Sequence, residues 1–284
     1  MRSKLTDYFL LMRADKPIGT LLLLWPTLSS FFLLTEGSPT KHLIIVFLVG
    51  TFLMRSAGCV INDYFDRDFD GKVNRTKNRP IATGRVSSFE ALSLFLFLVA
   101  LSALLLCWTN FLTFLMAVLG LVIAIIYPLS KRFFAFPQLF LGAAFSWGII
   151  MVSSAENGAI SDTSIISFLA CFFWIQAYDT EYAMCDKEDD LSIGIGSSAI
   201  FLKENVQFFV ILFHLISLIL WGLVGFMIGV SWFFYFALSL NLFFVAYQYS
   251  QIRNYDPHKC LIAFKNNNWI GILILLGSIL GTIN

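Results

Sequence analysis

From Ile18 onward the chain repeats one pattern, an apolar stretch about as long as a bilayer is thick followed by a short polar link. A helix rising about 1.5 Å per residue needs roughly 20 apolar residues to cross the hydrocarbon core. Spans are predicted at about 18–34, 42–62, 89–107, 111–127, 138–152, 163–178, 206–228 and 232–249, with a last one from 269 to the C-terminus. With 58% hydrophobic and 13% charged residues, the chain is far more apolar than an average soluble domain. Its aromatic content of 17% and mean hydropathy of +0.79 agree. The fold expected is an all-α integral membrane protein of about nine transmembrane helices.

The links set the topology. Lys and Arg concentrate in the N-terminal stretch and in the links after the second, fourth, sixth and eighth spans, whereas the alternate links hold almost none beyond Lys41. Short basic loops stay cytoplasmic. The N-terminus is therefore expected inside and the C-terminus outside. Residues 1–16, where Arg2, Lys4, Arg13 and Lys16 alternate with apolar side chains, read as an interfacial lead-in that is retained, since no cleavable leader pattern is present.

Two acidic clusters close apolar spans on that same inner side. The first is Asn62-Asp63-Tyr64-Phe65-Asp66-Arg67-Asp68-Phe69-Asp70. On a continuous helix Asp63, Asp66 and Asp70 fall within a narrow arc, with Asn62 beside them and Arg55 two turns earlier. In the second cluster Asp179, Asp186 and Asp190 share a face with Tyr182, while Glu181 and Glu188 point away. A lone acidic run reads as a solvated helix end. Two runs with the same i, i+4 aspartate pair, Asp66/Asp70 and Asp186/Asp190, read instead as two halves of one site. Facing carboxylate pairs suit Mg²⁺, which prefers oxygen ligands and bridges to phosphate, and two such ions would clamp a diphosphate.

Basic residues flank these acids. Arg75, Lys77 and Arg79 follow the first cluster, and Lys131 with Arg132 follows the fourth span, beside Tyr127. Arg79 and Lys131 are read as diphosphate contacts rather than topology signals only. Arg55 lies inside a span, where a charge is costly and normally faces a cavity. It is expected to orient a metal ligand or to pair with an acidic substrate. The net charge of +1 says nothing about nucleic acid, but the sequence shows no basic, aromatic-interleaved patch of the kind single-strand binders use, and no nucleic acid partner is expected. Cys59, Cys107, Cys171, Cys185 and Cys260, like His42, His214 and His258, show no ligand-like spacing. A diphosphate site at the mouth of an apolar bundle points to a lipid diphosphate and to ionisation of its allylic carbon–oxygen bond.

At these residues the chain resembles the UbiA-type intramembrane prenyltransferases. Asn62-Asp63-x-x-Asp66-x-x-x-Asp70 looks like the first aspartate motif of that superfamily and Asp186-x-x-x-Asp190 like the second. Further segments resemble its 4-hydroxybenzoate branch: Met12-Arg13-Ala14-Asp15-Lys16-Pro17-Ile18-Gly19, Met54-Arg55-Ser56-Ala57-Gly58-Cys59, Asn78-Arg79-Pro80, Tyr127-Pro128 with Lys131-Arg132, and Asn266-Asn267-Asn268. The resemblance implies a nine-helix bundle with a central cavity and two Mg²⁺ ions in a bacterial inner membrane. It also implies transfer of a polyprenyl group to the carbon ortho to the hydroxyl of 4-hydroxybenzoate, a step of ubiquinone synthesis. Asn62, Asp66, Asp186 and Asp190 would be the metal ligands, with Asp63 and Asp70 assisting through metal-bound water. Arg79, Lys131 and Tyr127 would meet the diphosphate, and Asp179 would lie near the aromatic acceptor.

One domain, 1–284, is expected to hold two four-helix blocks, about 17–135 and 136–250, and a last helix at about 269–284. Other acceptors (a naphthoate, a homogentisate, haem) fit the same motifs. A transporter would also place carboxylates between repeats, but normally near the bilayer midplane. Tail length and oligomeric state stay open.

Overall fold

A computed structural model describes residues 3–71, 76–130, 133–194 and 196–283. A short helix, α1 (Lys4–Leu11), precedes α2 (Ile18–Leu34), α3 (Lys41–Phe65) and a single turn, α4 (Arg67–Asp70). Then come α5 (Ser88–Leu105), α6 (Phe111–Ser130), α7 (Gln138–Asn157) and α8 (Asp162–Ile193). A second single turn, α9 (Ser198–Phe201), leads into α10 (Val206–Ile228), α11 (Trp232–Ile252) and α12 (Pro257–Thr282). The described residues contain no strand. Among them six helices (α3, α5, α6, α7, α10 and α12) are long and apolar enough to cross a membrane, and α2 is a shorter apolar helix. Large apolar side chains such as Ile45, Leu96, Phe226 and Phe243 face outward, as lipid contact requires. The chain is an integral membrane protein.

Helix ends follow local chemistry. Ser87 and Glu90 form a reciprocal capping box at the start of α5. Gly158, Gly194 and Gly229 end α7, α8 and α10 in the left-handed conformation that glycine adopts without steric cost. Two boundaries differ from the sequence expectation. The stretch from Arg253 to Lys265, predicted as a basic loop, is mostly helix. Asp256 accepts from the amides of His258 and Lys259, and Pro257 occupies a first-turn position where its missing N–H costs nothing. At the other motif α3 stops at Phe65, so the first aspartate cluster is not one continuous helix.

The largest buried cluster joins α2, α7, α8, α10, α11 and α12 through Leu22, Leu141, Trp174, Trp221, Phe234 and Ile270. A smaller one joins α1, α3 and α5 through Leu11, Ala57, Val60 and Leu98. In lipid, helices associate through close packing and hydrogen bonds rather than through expulsion of water. The three consecutive asparagines of α12 show how. Asn266 accepts from Gln248 of α11 (3.1 Å), Asn267 from Trp174 of α8 (2.9 Å) and Asn268 from Trp25 of α2 (2.8 Å). Gly277 and Gly281, which form a small-residue spacing suggestive of helix association, are used within the chain, where Ala237 and Phe234 of α11 lie against them.

Asn267 also donates to the fully buried Glu181 (2.8 Å), whose other oxygen lies 3.8 Å from His214. Glu181 therefore faces away from the aspartates, as its helical position predicts. Asn267→Ala is expected to strand both Trp174 and Glu181, at about 1–3 kcal/mol for each buried group left unpaired. Thermal unfolding in detergent measures the loss, and an unchanged midpoint would show that water replaces the amide.

Candidate active site

Between the two clusters lies a cavity of about 400 Å³. Its mouth is polar: Arg13, Asn62, Arg79, Tyr127 and Tyr182 line it. Below, its wall is apolar and drawn from α2, α3, α5, α6 and α7, with Met54, Leu121 and Phe145 among the lining side chains. Arg55 enters it about 10 Å below Asn62, seven residues back along α3. The guanidinium lies 5.6 Å from the centroid of the Phe145 ring, and one nitrogen contacts Cys59 Sγ at 2.8 Å. Its other terminal nitrogen fills the space that a side chain at Gly19 would need, 2.6 Å from where a Cβ would stand. The Arg55 side chain and the bare Gly19 backbone thus fit each other.

The mouth is built by two helices. On α3, Asn62 donates to Asp66 Oδ2 at 2.9 Å, and Asp66 caps the helix with its N–H on the Asn62 carbonyl. On α8 the helix runs unbroken to Ile193, so Asp179, Tyr182, Asp186 and Asp190 remain on one face. Tyr182, whose ring lies 4.8 Å from that of Phe264, lines the cavity one turn before Asp186. Asn62 does the same one turn before Asp66. Both aspartates are half-buried. The donor set, an amide oxygen and carboxylates from two helices, has the hard-oxygen character that suits a divalent cation. Among the described residues no three His, Cys, Asp or Glu side chains already converge on one point.

Asp63 and Asp70 stand elsewhere. Asp63, with a side chain only 1% exposed, accepts from Arg13 at 2.7 Å and lies 2.9 Å from Arg79. Arg79 also reaches both oxygens of Asp70, at 2.7 and 2.8 Å. The result is an alternating chain, Arg13–Asp63–Arg79–Asp70, along the inner side of the mouth. Burial pushes the Asp70 carboxyl above its ordinary range, and the Arg79 guanidinium opposes that shift. Thr76 ties the same turn down by donating to the Asp70 carbonyl at 2.9 Å. In this structure both aspartates serve guanidinium groups.

Of the other predicted site residues, Tyr127 lines the cavity, whereas Lys77 is exposed and is not among its lining residues. Arg75, Lys131 and Arg132 lie outside the described residues. Arg13 is the residue that the sequence reading assigned to the interfacial lead-in and that the structure brings to the mouth. It adopts a left-handed backbone (φ 56°) that turns the chain between α1 and α2. Lys4 holds α1 in place by reaching Glu90 at 2.7 Å, and Asp7 lies 3.2 Å from Arg85. The one sequence signal was its place in the Met12-to-Gly19 segment.

Comparison with known proteins bears on the whole chain. The model of the UbiA prenyltransferase family matches residues 23–272. A 4-hydroxybenzoate octaprenyltransferase of Neisseria meningitidis serogroup B is 48% identical over 271 residues, covering 95% of this chain and 92% of that one. Its counterpart in Alcanivorax borkumensis is 46% identical over 274 residues, covering 96% and 94%. The fold is similar to the apo structure of a UbiA homolog from Aeropyrum pernix K1, with a TM-score of 0.79 at 23% identity, covering 93% of this chain and 98% of that one. It is also similar to a UbiA homolog from Archaeoglobus fulgidus bound to GPP and Mg²⁺, with a TM-score of 0.74 at 22% identity, covering 96% and 99%. With the family model matching most of the chain and relatives near half identical over almost its full length, the chain belongs to the UbiA prenyltransferase family.

Proposed function

We propose that this protein transfers a polyprenyl group from an allylic polyprenyl diphosphate to the ring carbon ortho to the hydroxyl of 4-hydroxybenzoate, giving a 3-polyprenyl-4-hydroxybenzoate for ubiquinone synthesis. One observation carries the reading: a single cavity joins a polar mouth below both aspartate pairs to an apolar interior. Near-half identity to relatives named 4-hydroxybenzoate octaprenyltransferase supports the choice of acceptor and the length class of the donor. Asn62 and Asp66 from α3, with Asp186 and Asp190 from α8, would hold two Mg²⁺ ions. Such ions stabilise charge on a departing diphosphate.

The protein's own groups do the rest. Arg79 and Tyr127, which line the mouth, would orient the diphosphate, with Arg75, Lys131 and Arg132 as further cations of the same reading. The carbon–oxygen bond breaks and its electron pair leaves with the diphosphate. The ring carbon of the acceptor then bonds to the allylic carbon and loses its proton. Arg55 would take the acceptor's carboxylate, and Asp179, seven residues before Asp186 and so about 10 Å deeper, would lie near the ring.

The reading places nine spans in a bacterial inner membrane. They are the six apolar helices, α2, α8 with its buried Ser164, Ser167 and Gln176, and α11 with its buried Asn241 and Gln248. Mouth and N-terminus face the cytoplasm and the C-terminus the opposite side. Two four-helix blocks, one ending at α6 and one at α11, form a pseudo-repeat.

The deciding assay gives purified protein Mg²⁺, octaprenyl diphosphate and 4-hydroxybenzoate, and follows diphosphate release and product mass. Release with the matching mass, at rates above those with a naphthoate, homogentisate or haem, is expected. Folded protein that releases none would overturn the reading.

A further inference from the structure

The cavity has a length as well as a mouth. On α3 its lining runs from Asn62 through Gly58, Met54, Gly50 and Phe47 to Val46. Sixteen residues of helix span about 24 Å, room for roughly five extended isoprene units. The facing wall on α6 runs the same way, from Tyr127 at the mouth to Thr113 at the far end. The cavity thus forms an elongated tube that follows α3 and α6 away from its mouth.

Two glycines stand in its wall without a packing reason. Among the described residues, the helical glycines other than Gly50, Gly58 and Gly222 each abut an atom that a Cβ would collide with. Gly222 does not line the cavity. A Cβ at Gly58 would have nothing within 4 Å, and one at Gly50 would meet only Leu105 Cδ1 at 3.7 Å, an ordinary contact. Glycine inside a helix costs about 0.5–1 kcal/mol relative to alanine, and no neighbour here requires it. What it preserves is open space in the tube. Gly58 lies one turn below Asn62, at the reacting end, whereas Gly50 lies twelve residues, about 18 Å, below it.

Resting on the prenyl-transfer reading above, we propose that Gly50 is a specificity-determining residue: it keeps the tube open past its midpoint and so admits polyprenyl tails longer than three or so isoprene units. Any side chain larger than methyl at that position projects into the path of a long tail. A geranyl tail ends above it. A tail beyond about five units leaves the tube, so its extra units make no further contact with the wall.

The test compares kcat/KM for geranyl and octaprenyl diphosphate, each with 4-hydroxybenzoate and Mg²⁺, across wild type, Gly50→Ala, Gly50→Val and Gly50→Phe. Turnover of the octaprenyl donor is expected to fall with side-chain volume, by about tenfold to a hundredfold at Phe, the scale that overpacking imposes. Geranyl turnover is expected to stay within a few-fold of wild type, which reports that the variants are folded. Equal loss of both donors across the series, or unchanged octaprenyl turnover in Gly50→Phe, would overturn the proposal. Wild-type protein inactive with both donors would instead overturn the assigned reaction and leave the shape of the tube standing.

Discussion

Asp186→Ala is expected to lower Mg²⁺-dependent diphosphate release by at least about 10²–10³-fold, the loss seen when a preorganised charge-stabilising group is removed from a reacting centre. Asp66→Ala is expected to do the same. Each carboxylate sits one helical turn beyond a cavity-lining side chain, Asp66 beyond Asn62 and Asp186 beyond Tyr182. Alanine is the best helix former, so α8 itself should tolerate the change at Asp186. Glu188→Ala on the same helix is the control: that residue is exposed and faces away from the aspartates, and its loss should leave turnover within a few-fold. The sharper expectation concerns the pair. If Asp66 and Asp186 hold one diphosphate between them, the double variant should be little worse than either single one, because groups acting as a unit are strongly non-additive. Steady-state kinetics over a Mg²⁺ titration measures all four proteins. Full activity in Asp186→Ala, or losses that multiply in the double variant, would separate the two motifs into independent features.

Much of this arrangement was legible before any coordinates. The apolar runs marked where helices would form, and the repeated aspartate spacing pointed to the ends of α3 and α8, where Asn62 and Tyr182 line the cavity. What escaped the reading depends on backbone turns and on packing between distant segments. Arg13 belongs to a stretch that looks interfacial. Its reach to Asp63 follows from a single positive φ and from the Lys4–Glu90 contact that seats α1 against α5. The division of labour within the first motif was hidden for a related reason. A periodic reading treats Asp63, Asp66 and Asp70 as equivalent, but α3 ends at Phe65 and the next turn carries Asp70 toward Arg79. Glu181 belonged to the second acidic run, and its angular position alone turned it away from the mouth. Its partners, Asn267 and His214, lie 86 and 33 positions along the chain and no local pattern links them.

Arg79→Ala is expected to be the most damaging basic-residue substitution at the mouth, and mainly through stability. The guanidinium touches two carboxylates at once, Asp63 with a side chain 1% exposed and Asp70 with one 7% exposed. Removing one partner of a buried ion pair costs about 3–5 kcal/mol, because a charge is left desolvated without compensation. Arg13→Ala should cost less, since Asp63 keeps Arg79 and the Arg13 side chain is 24% exposed. Arg79→Lys should recover only part of the loss, as a point charge cannot reproduce the planar fork that meets both acids. If the burden is the two stranded carboxylates, adding Asp63→Asn and Asp70→Asn to Arg79→Ala should restore most of the unfolding midpoint, a coupling that a mutant cycle isolates. Thermal unfolding in detergent, read beside KM for the prenyl diphosphate, distinguishes the two uses of this arginine. A midpoint unchanged in Arg79→Ala with a steep rise in KM would mean that the guanidinium leaves its acids for the diphosphate. A lowered midpoint rescued by neutralising the acids would make it a strut that shapes the mouth, with phosphate contact left to the other cations.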